Sequence, residues 1–155
     1  MKSKTVCFTG HRNLSQVNAI REKLFGIVEQ LIAEGYDRFE AGGALGFDTL
    51  AAQVVLSLRE KHPHIRLILI LPCLSQASAW SAGDIAEYER IKAAADEFIY
   101  TSREYTRYCM HVRNRRLVDD SSVCVYYLTR PGRSGTAFTL DYAVKQGLRT
   151  ISAAN

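Results

Sequence analysis

Two glycine-bearing breaks hold the residues best suited to chemistry in this sequence. In the first, Glu40-Ala41-Gly42-Gly43-Ala44-Leu45-Gly46-Phe47-Asp48, an apolar run breaks into glycines and resumes as a helical pattern. In the second, Arg130-Pro131-Gly132-Arg133-Ser134-Gly135-Thr136 follows the apolar run 123–128 and leads into 137–144. Glycines at a strand-to-helix junction let the backbone come close to a ligand, and a helix start offers unpaired N–H groups together with the positive end of its dipole. Such a turn favours an anion, most often phosphate. Two of them can hold the two ends of a nucleotide-like ligand, although plain turn chemistry accounts for either loop taken alone.

The cationic side chains cluster near these turns. Arg103, Arg107, Arg113, Arg115 and Arg116 face one acid, Glu104, and Arg130 and Arg133 follow in the second loop. A local positive field of this kind suits phosphates or single-stranded nucleic acid, and a solvated basic face explains it equally well. Helical spacing over 107–120 puts Met110, Leu117 and Ser121 on one stripe, with Arg113 and Asn114 between them. Arg113 therefore points inward or along a crevice edge, where an unpaired guanidinium costs several kcal/mol. It requires an internal carboxylate, for which Asp48, Asp119, Asp120 and Asp141 are available, or a bound anion. The anion is favoured, because Asp48 has a simpler role as an acid in the first turn of its helix and Asp141 as a mid-helix polar residue.

Strands are predicted at about 4–9, 37–41, 65–71, 97–101, 122–128 and 148–152, with helices at about 16–34, 46–61, 82–95, 107–120 and 135–146. This alternation predicts one α/β domain over 1–155: a mostly parallel, Rossmann-like sheet in three layers, with helices on both faces. In such sheets ligands bind beyond the carboxyl ends of the strands, and both glycine loops lie there, as does Thr9-Gly10-His11-Arg12. The longest connection runs from Pro72 to Gly83, and its Gln76, Trp80 and Ser81 read as a lid or wall over the crevice.

Composition agrees with one compact, soluble, cytoplasmic domain: 155 residues, 47% hydrophobic, net charge +4. Apolar stretches such as 67–71 are too short to span a bilayer, and the Met1-Lys2-Ser3-Lys4 start runs directly into a strand. Cys7, Cys73, Cys109 and Cys124 have no CxxC spacing and read as buried free thiols. His62 and His64 flank Pro63 with no third ligand near in sequence, so neither a metal nor a cofactor is expected.

These residues together resemble the SLOG superfamily, the SMF/DprA and LOG group of Rossmann-like proteins, and within it the YpsA/YoqJ-like branch. The resemblance spans nearly the whole chain. It is carried by Phe8-Thr9-Gly10-His11-Arg12, by Gly42-Gly43-Ala44-Leu45-Gly46-Phe47-Asp48 with Ala51-Ala52, and by Pro72, Gln76, Trp80 and Tyr88. It continues through Ala95-Asp96, Tyr105, Cys109-Met110, Arg113-Asn114-Arg115 with Val118-Asp119, Gly135-Thr136 and Tyr142-Ala143. It implies a nucleotide-binding crevice, and pairing of such domains into a homo-oligomer. Tasks differ across the superfamily: LOG-type members cleave the base from a nucleoside monophosphate, DprA-type members bind single-stranded DNA, and others sense nucleotide signals.

One departure bears on the choice. LOG-type hydrolases carry a Pro-Gly-Gly-x-Gly-Thr-x-x-Glu loop, whereas here Arg133 replaces the second glycine and Thr139 stands in place of the catalytic glutamate. A threonine cannot act as general acid, and losing such a group costs about 10²–10⁴ in rate. The reading is therefore a non-catalytic sensor or sequestering protein for a phosphate-bearing nucleotide. N–H groups of Gly42, Gly43, Gly46, Gly135 and Thr136 receive phosphate, with the Thr136 hydroxyl as a further donor. Arg113 neutralises charge, His11 and Arg12 close the site after Gly10, Asn114 reads a ribose hydroxyl or base edge, Asp48 caps its helix or meets the ribose, and Trp80 stacks on a base or packs the long connection. The alternatives are a LOG-type N-glycoside hydrolase, which needs a carboxylate near Arg113, and a DprA-like single-stranded nucleic-acid binder, which needs a long basic stripe.

Overall fold

The computed structural model describes residues 2–154. Six strands form one wholly parallel sheet in the order β4-β3-β2-β1-β5-β6. They are β1 (Thr5–Gly10), β2 (Arg38–Ala41), β3 (Arg66–Leu71), β4 (Glu97–Tyr100), β5 (Val123–Tyr127) and β6 (Arg149–Ser152). The connecting helices are α1 (Val17–Ala33), α2 (Phe47–Lys61), α3 (Ala82–Ala94), α4 (Cys109–Asp119) and α5 (Gly135–Lys145). The chain lays β1 to β4 outward in one direction and then returns to place β5 on the other side of β1. This reversal opens a crevice beyond the carboxyl ends of β1 and β5, where flanking connections diverge to opposite faces.

The two faces follow from the period-two alternation of strand side chains. Val6 and Phe8 of β1 and Leu67, Leu69 and Leu71 of β3 join the core beneath α1, α2 and α3. Cys7, Ile68 and Ile70 instead meet Leu117 and Val118 of α4 and Ala143 of α5. Helices thus cover both faces, and the near-continuous apolar strands are explained by burial on two sides. All four cysteines are free and buried. Among the described residues no helix is long and apolar enough to cross a membrane, and no group of three or more His, Cys, Asp or Glu gathers to hold a metal.

One polar residue sits at the centre of this sheet. Glu40 of β2 lies beside Cys7 in the β1–β2 register and is fully buried. Its Oε2 accepts from the Arg38 guanidinium at 3.2 Å, while Oε1 is without a partner among the described residues. Burial first, then the neighbouring Asp120 carboxylate, push its pKa up to about 8.

Candidate functional site

A cavity of about 390 Å³ opens at the crevice beyond β1 and β5. From the end of β1 come Gly10, His11 and Arg12, joined by Asn13. The start of α2 contributes Ala44 and Asp48, the long connection Gln76 and Trp80, and α4 Met110, Arg113 and Asn114. Arg130, Ser134, Gly135 and Thr136 complete it. The expected residues after β1, on α4 and at the start of α5 are therefore brought together, with Asp48 and Trp80.

Gly42, Gly43 and Gly46 are not in that wall, and their reason for being glycine is packing. A Cβ on Gly46, whose φ is +78°, would stand 2.1 Å from the Arg12 carbonyl oxygen, so the glycine lets the β1 loop lie against the α2 start. That contact also occupies the helix end: the Phe47 N–H donates to the His11 carbonyl at 3.1 Å, and the Ala44 N–H donates to Asp48 Oδ2 at 3.3 Å. Gly43, at φ +73°, would set a Cβ 2.6 Å from Leu71 Cδ2, so a valine there would disturb the fold as well as any ligand. Within the first glycine loop the Ala44 and Phe47 N–H groups are thus satisfied from within the protein.

The second loop is different. Ser134 caps α5 by accepting from the Ala137 N–H at 3.0 Å. The N–H groups of Gly135 and Thr136 have no acceptor among the described residues and belong to the cavity wall. They are the orphan donors of a helix first turn, at the positive end of its dipole. Thr139 is no part of the wall: it is buried and its hydroxyl donates to the Gly135 carbonyl at 2.8 Å.

Arg113 is buried as its helical stripe predicts. Its Nη1 donates to the Gly42 carbonyl and its Nε to Asn114 Oδ1 at 2.7 Å. Of the four carboxylates considered for it, Asp119 accepts from the Tyr142 hydroxyl, Asp120 pairs with Arg116 and Asp141 with Lys145. Asp48 alone lies beside it, without a direct ion pair; a Cβ on Gly42 would touch both, at 2.5 Å from Arg113 Nη1 and 2.9 Å from Asp48 Oδ2. Burial raises the Asp48 pKa to about 6, against the lowering effect of Arg113, the Ala44 N–H and Arg12. Asp48 is thus more than an acid in a first turn: it is the internal counter-charge to Arg113.

The arginine-rich segment does not act as one patch, because successive residues on α4 point about 100° apart. Arg115 lies over the rings of Phe138 and Tyr142, Arg116 pairs with Asp120, and only Arg113 turns into the cavity. Arg12 and Arg130 join it there from other loops. His11 Nε2 accepts from the Thr129 N–H at 3.1 Å, which assigns its proton to Nδ1; burial, then Arg130, lower its pKa and keep it neutral at pH 7.

Trp80 lines the cavity, with its ring edge-on to Tyr88 at 5.3 Å, and Gln76 lines it too. Ser81 belongs to neither lid nor wall; it caps α3 by accepting from the Asp84 N–H. Arg130 is reached by the sequence reading only as part of the positive field, Ser134 only as a member of the second loop, and Asn13 carries no sequence signal.

The model of the YspA SLOG family matches residues 4–150. This chain belongs to that family. The SPbeta prophage-derived protein YoqJ of Bacillus subtilis (strain 168) is 34% identical to this SLOG chain over 139 residues, covering 81% of each sequence. Among solved structures, DNA processing protein A (DprA) from Streptococcus pneumoniae superposes with a TM-score of 0.69 at 16% identity. It covers 97% of this chain and 50% of its own. DprA from Helicobacter pylori, described for its single-stranded DNA binding mode, gives 0.68 at 17% identity over 97% of this chain and 65% of its own. The SLOG domain thus spans between half and two thirds of these structural neighbours, and the likeness to them is one of fold.

Proposed function

We propose that this SLOG domain binds a phosphate-bearing nucleotide or nucleotide derivative in the crevice, as a sensor or sequestering protein without catalysis. The observation that carries the reading is the pair of unpartnered N–H groups at Gly135 and Thr136, opening onto a cavity that also holds Arg12, Arg113 and Arg130. Phosphate sits at the start of α5, where the Thr136 hydroxyl and the Asn114 amide nitrogen add donors. Arg12 and Arg130 supply charge not already matched by Asp48. The base lies toward Trp80. The test is to denature the purified protein, identify any released nucleotide by mass spectrometry, and titrate fresh protein with AMP and adenosine. Retained nucleotide, or AMP binding well above adenosine, supports the reading; equal binding of the two overturns it.

Asp48 keeps a second reading in view. A carboxylate beside Arg113 is what an N-glycoside hydrolase requires, and Asp48, with its raised pKa of about 6, can exchange a proton near neutral pH. Release of free adenine from AMP, lost in Asp48→Asn, would establish the hydrolase. The nucleic-acid reading draws on the DprA neighbours and on exposed Tyr105 and Tyr108, with the Arg107 guanidinium 5.4 Å from the Tyr108 ring. It requires affinity that grows with strand length and falls steeply with salt.

A further inference from the structure

We propose that the crevice continues past the Ser134–Gly135 turn into a second nucleoside subsite, so that the ligand is a dinucleotide joined through phosphate at the start of α5. The inference rests on the phosphate site proposed above and adds the ligand's size and second anchor. Two concavities meet at this turn. The larger-walled one, of about 390 Å³, holds Trp80 and the arginines, and the other, of about 580 Å³, is bounded by His111, Arg133 and Phe138; Ser134 and Gly135 belong to both. The phosphate donors therefore stand between two lobes.

The second lobe is furnished for a base. The rings of His111 and Phe138 lie 4.3 Å apart at 66°, an edge-to-face pair that leaves a partly exposed aromatic surface one helical turn, about 6 Å, beyond Ser134. The Arg115 guanidinium sits 5.7 Å from the Phe138 ring and holds it in place. His111 Nδ1 is buried without a hydrogen-bond partner among the described residues. Arg133 is exposed, has no ion-pair partner among the described residues, and stands where it can meet a bridging phosphate. A mononucleotide fills one lobe and leaves the other empty.

The test is calorimetric titration with AMP, with P1,P2-diadenosine pyrophosphate, and with oligodeoxyadenylates of two to twelve residues. Stacking of a second base predicts that the diadenosine compound binds about ten- to a hundredfold more tightly than AMP. Phe138→Leu should return it to the affinity of AMP while leaving AMP unchanged. Equal affinities for the two compounds, or variants that weaken both alike, overturn the second subsite while leaving the phosphate site standing. Affinity that keeps rising to twelve nucleotides overturns it in favour of a nucleic-acid track. If neither AMP nor the diadenosine compound binds, both readings fall; where both bind, Gly135→Pro should weaken both, because it removes a phosphate donor shared by both lobes.

Discussion

Replacing Gly135 by proline tests the phosphate site with little disturbance to the fold. Gly135 is the first residue of α5, a position where proline is well tolerated because its missing N–H is one of the helix's orphans. Ser134, with φ −161° and ψ 165°, already has the extended conformation that a residue before proline prefers. A Cβ at 135 would have only Asn114 Nδ2 nearby, at 3.9 Å. The N–H removed makes no internal hydrogen bond, so stability should be unchanged or raised by about 0.4–1 kcal/mol. A hydrogen bond from that N–H to a charged phosphate contributes about 1.5–3 kcal/mol, which is roughly a ten- to 150-fold loss in affinity. Gly135→Ala keeps the N–H and adds a similar Cβ, so it serves as the control. Calorimetric titration with AMP, alongside thermal denaturation, reads both quantities. If the proline variant melts normally and binds AMP as tightly as the alanine variant, the start of α5 does not hold the phosphate.

Arg130→Ala should weaken AMP binding at unchanged melting temperature, since Arg130 is exposed, whereas Arg113→Ala should lower both; it strips the Gly42 carbonyl and Asp48 of a buried partner at a cost of about 3–5 kcal/mol. Asp48→Asn should tighten AMP at pH 7.5 by removing a competing negative charge, and the gain should vanish below pH 6, where the native carboxyl is itself protonated; weaker binding would place Asp48 on the ligand's ribose instead. Gly46→Ala should destabilise the fold by about 2 kcal/mol or more in urea titration, because its Cβ meets the Arg12 carbonyl and its φ is positive. Glu40, raised from 4.5 to about 8, keeps in the folded state a proton that the unfolded chain has released. Stability should therefore fall as pH rises from about 4.5 to 8 and then level off, by up to about 4–5 kcal/mol. Glu40→Gln should remove that slope in urea melts at pH 5.5 and 8.5, and an unchanged difference between the two pH values would refute the assignment.

The architecture was legible because its causes are local. Apolar runs such as 67–71 and 123–127 sit between helical periods, and β1 to β6 and α1 to α5 lie within about two residues of the expected bounds. The inward turn of Arg113 follows from the spacing that buries Leu117 one turn further along the same helix. Glycine content alone could not distinguish the two loops. Gly42, Gly43 and Gly46 are small because Arg113, Leu71 and the Arg12 backbone press against them, and those neighbours arrive from elsewhere in the chain. The second loop keeps its donors because Ser134 caps only Ala137 and no acceptor among the described residues meets the N–H of Gly135 or Thr136. The placement of Asp48 beside Arg113, 65 positions apart, and the dispersal of the α4 arginines were likewise decided in three dimensions. Residue types and their periods set which elements form and which faces they bury. Which polar groups those faces leave unpaired depends on what packs opposite them, and that is settled only when the sheet brings β1, α2, α4 and α5 to one edge.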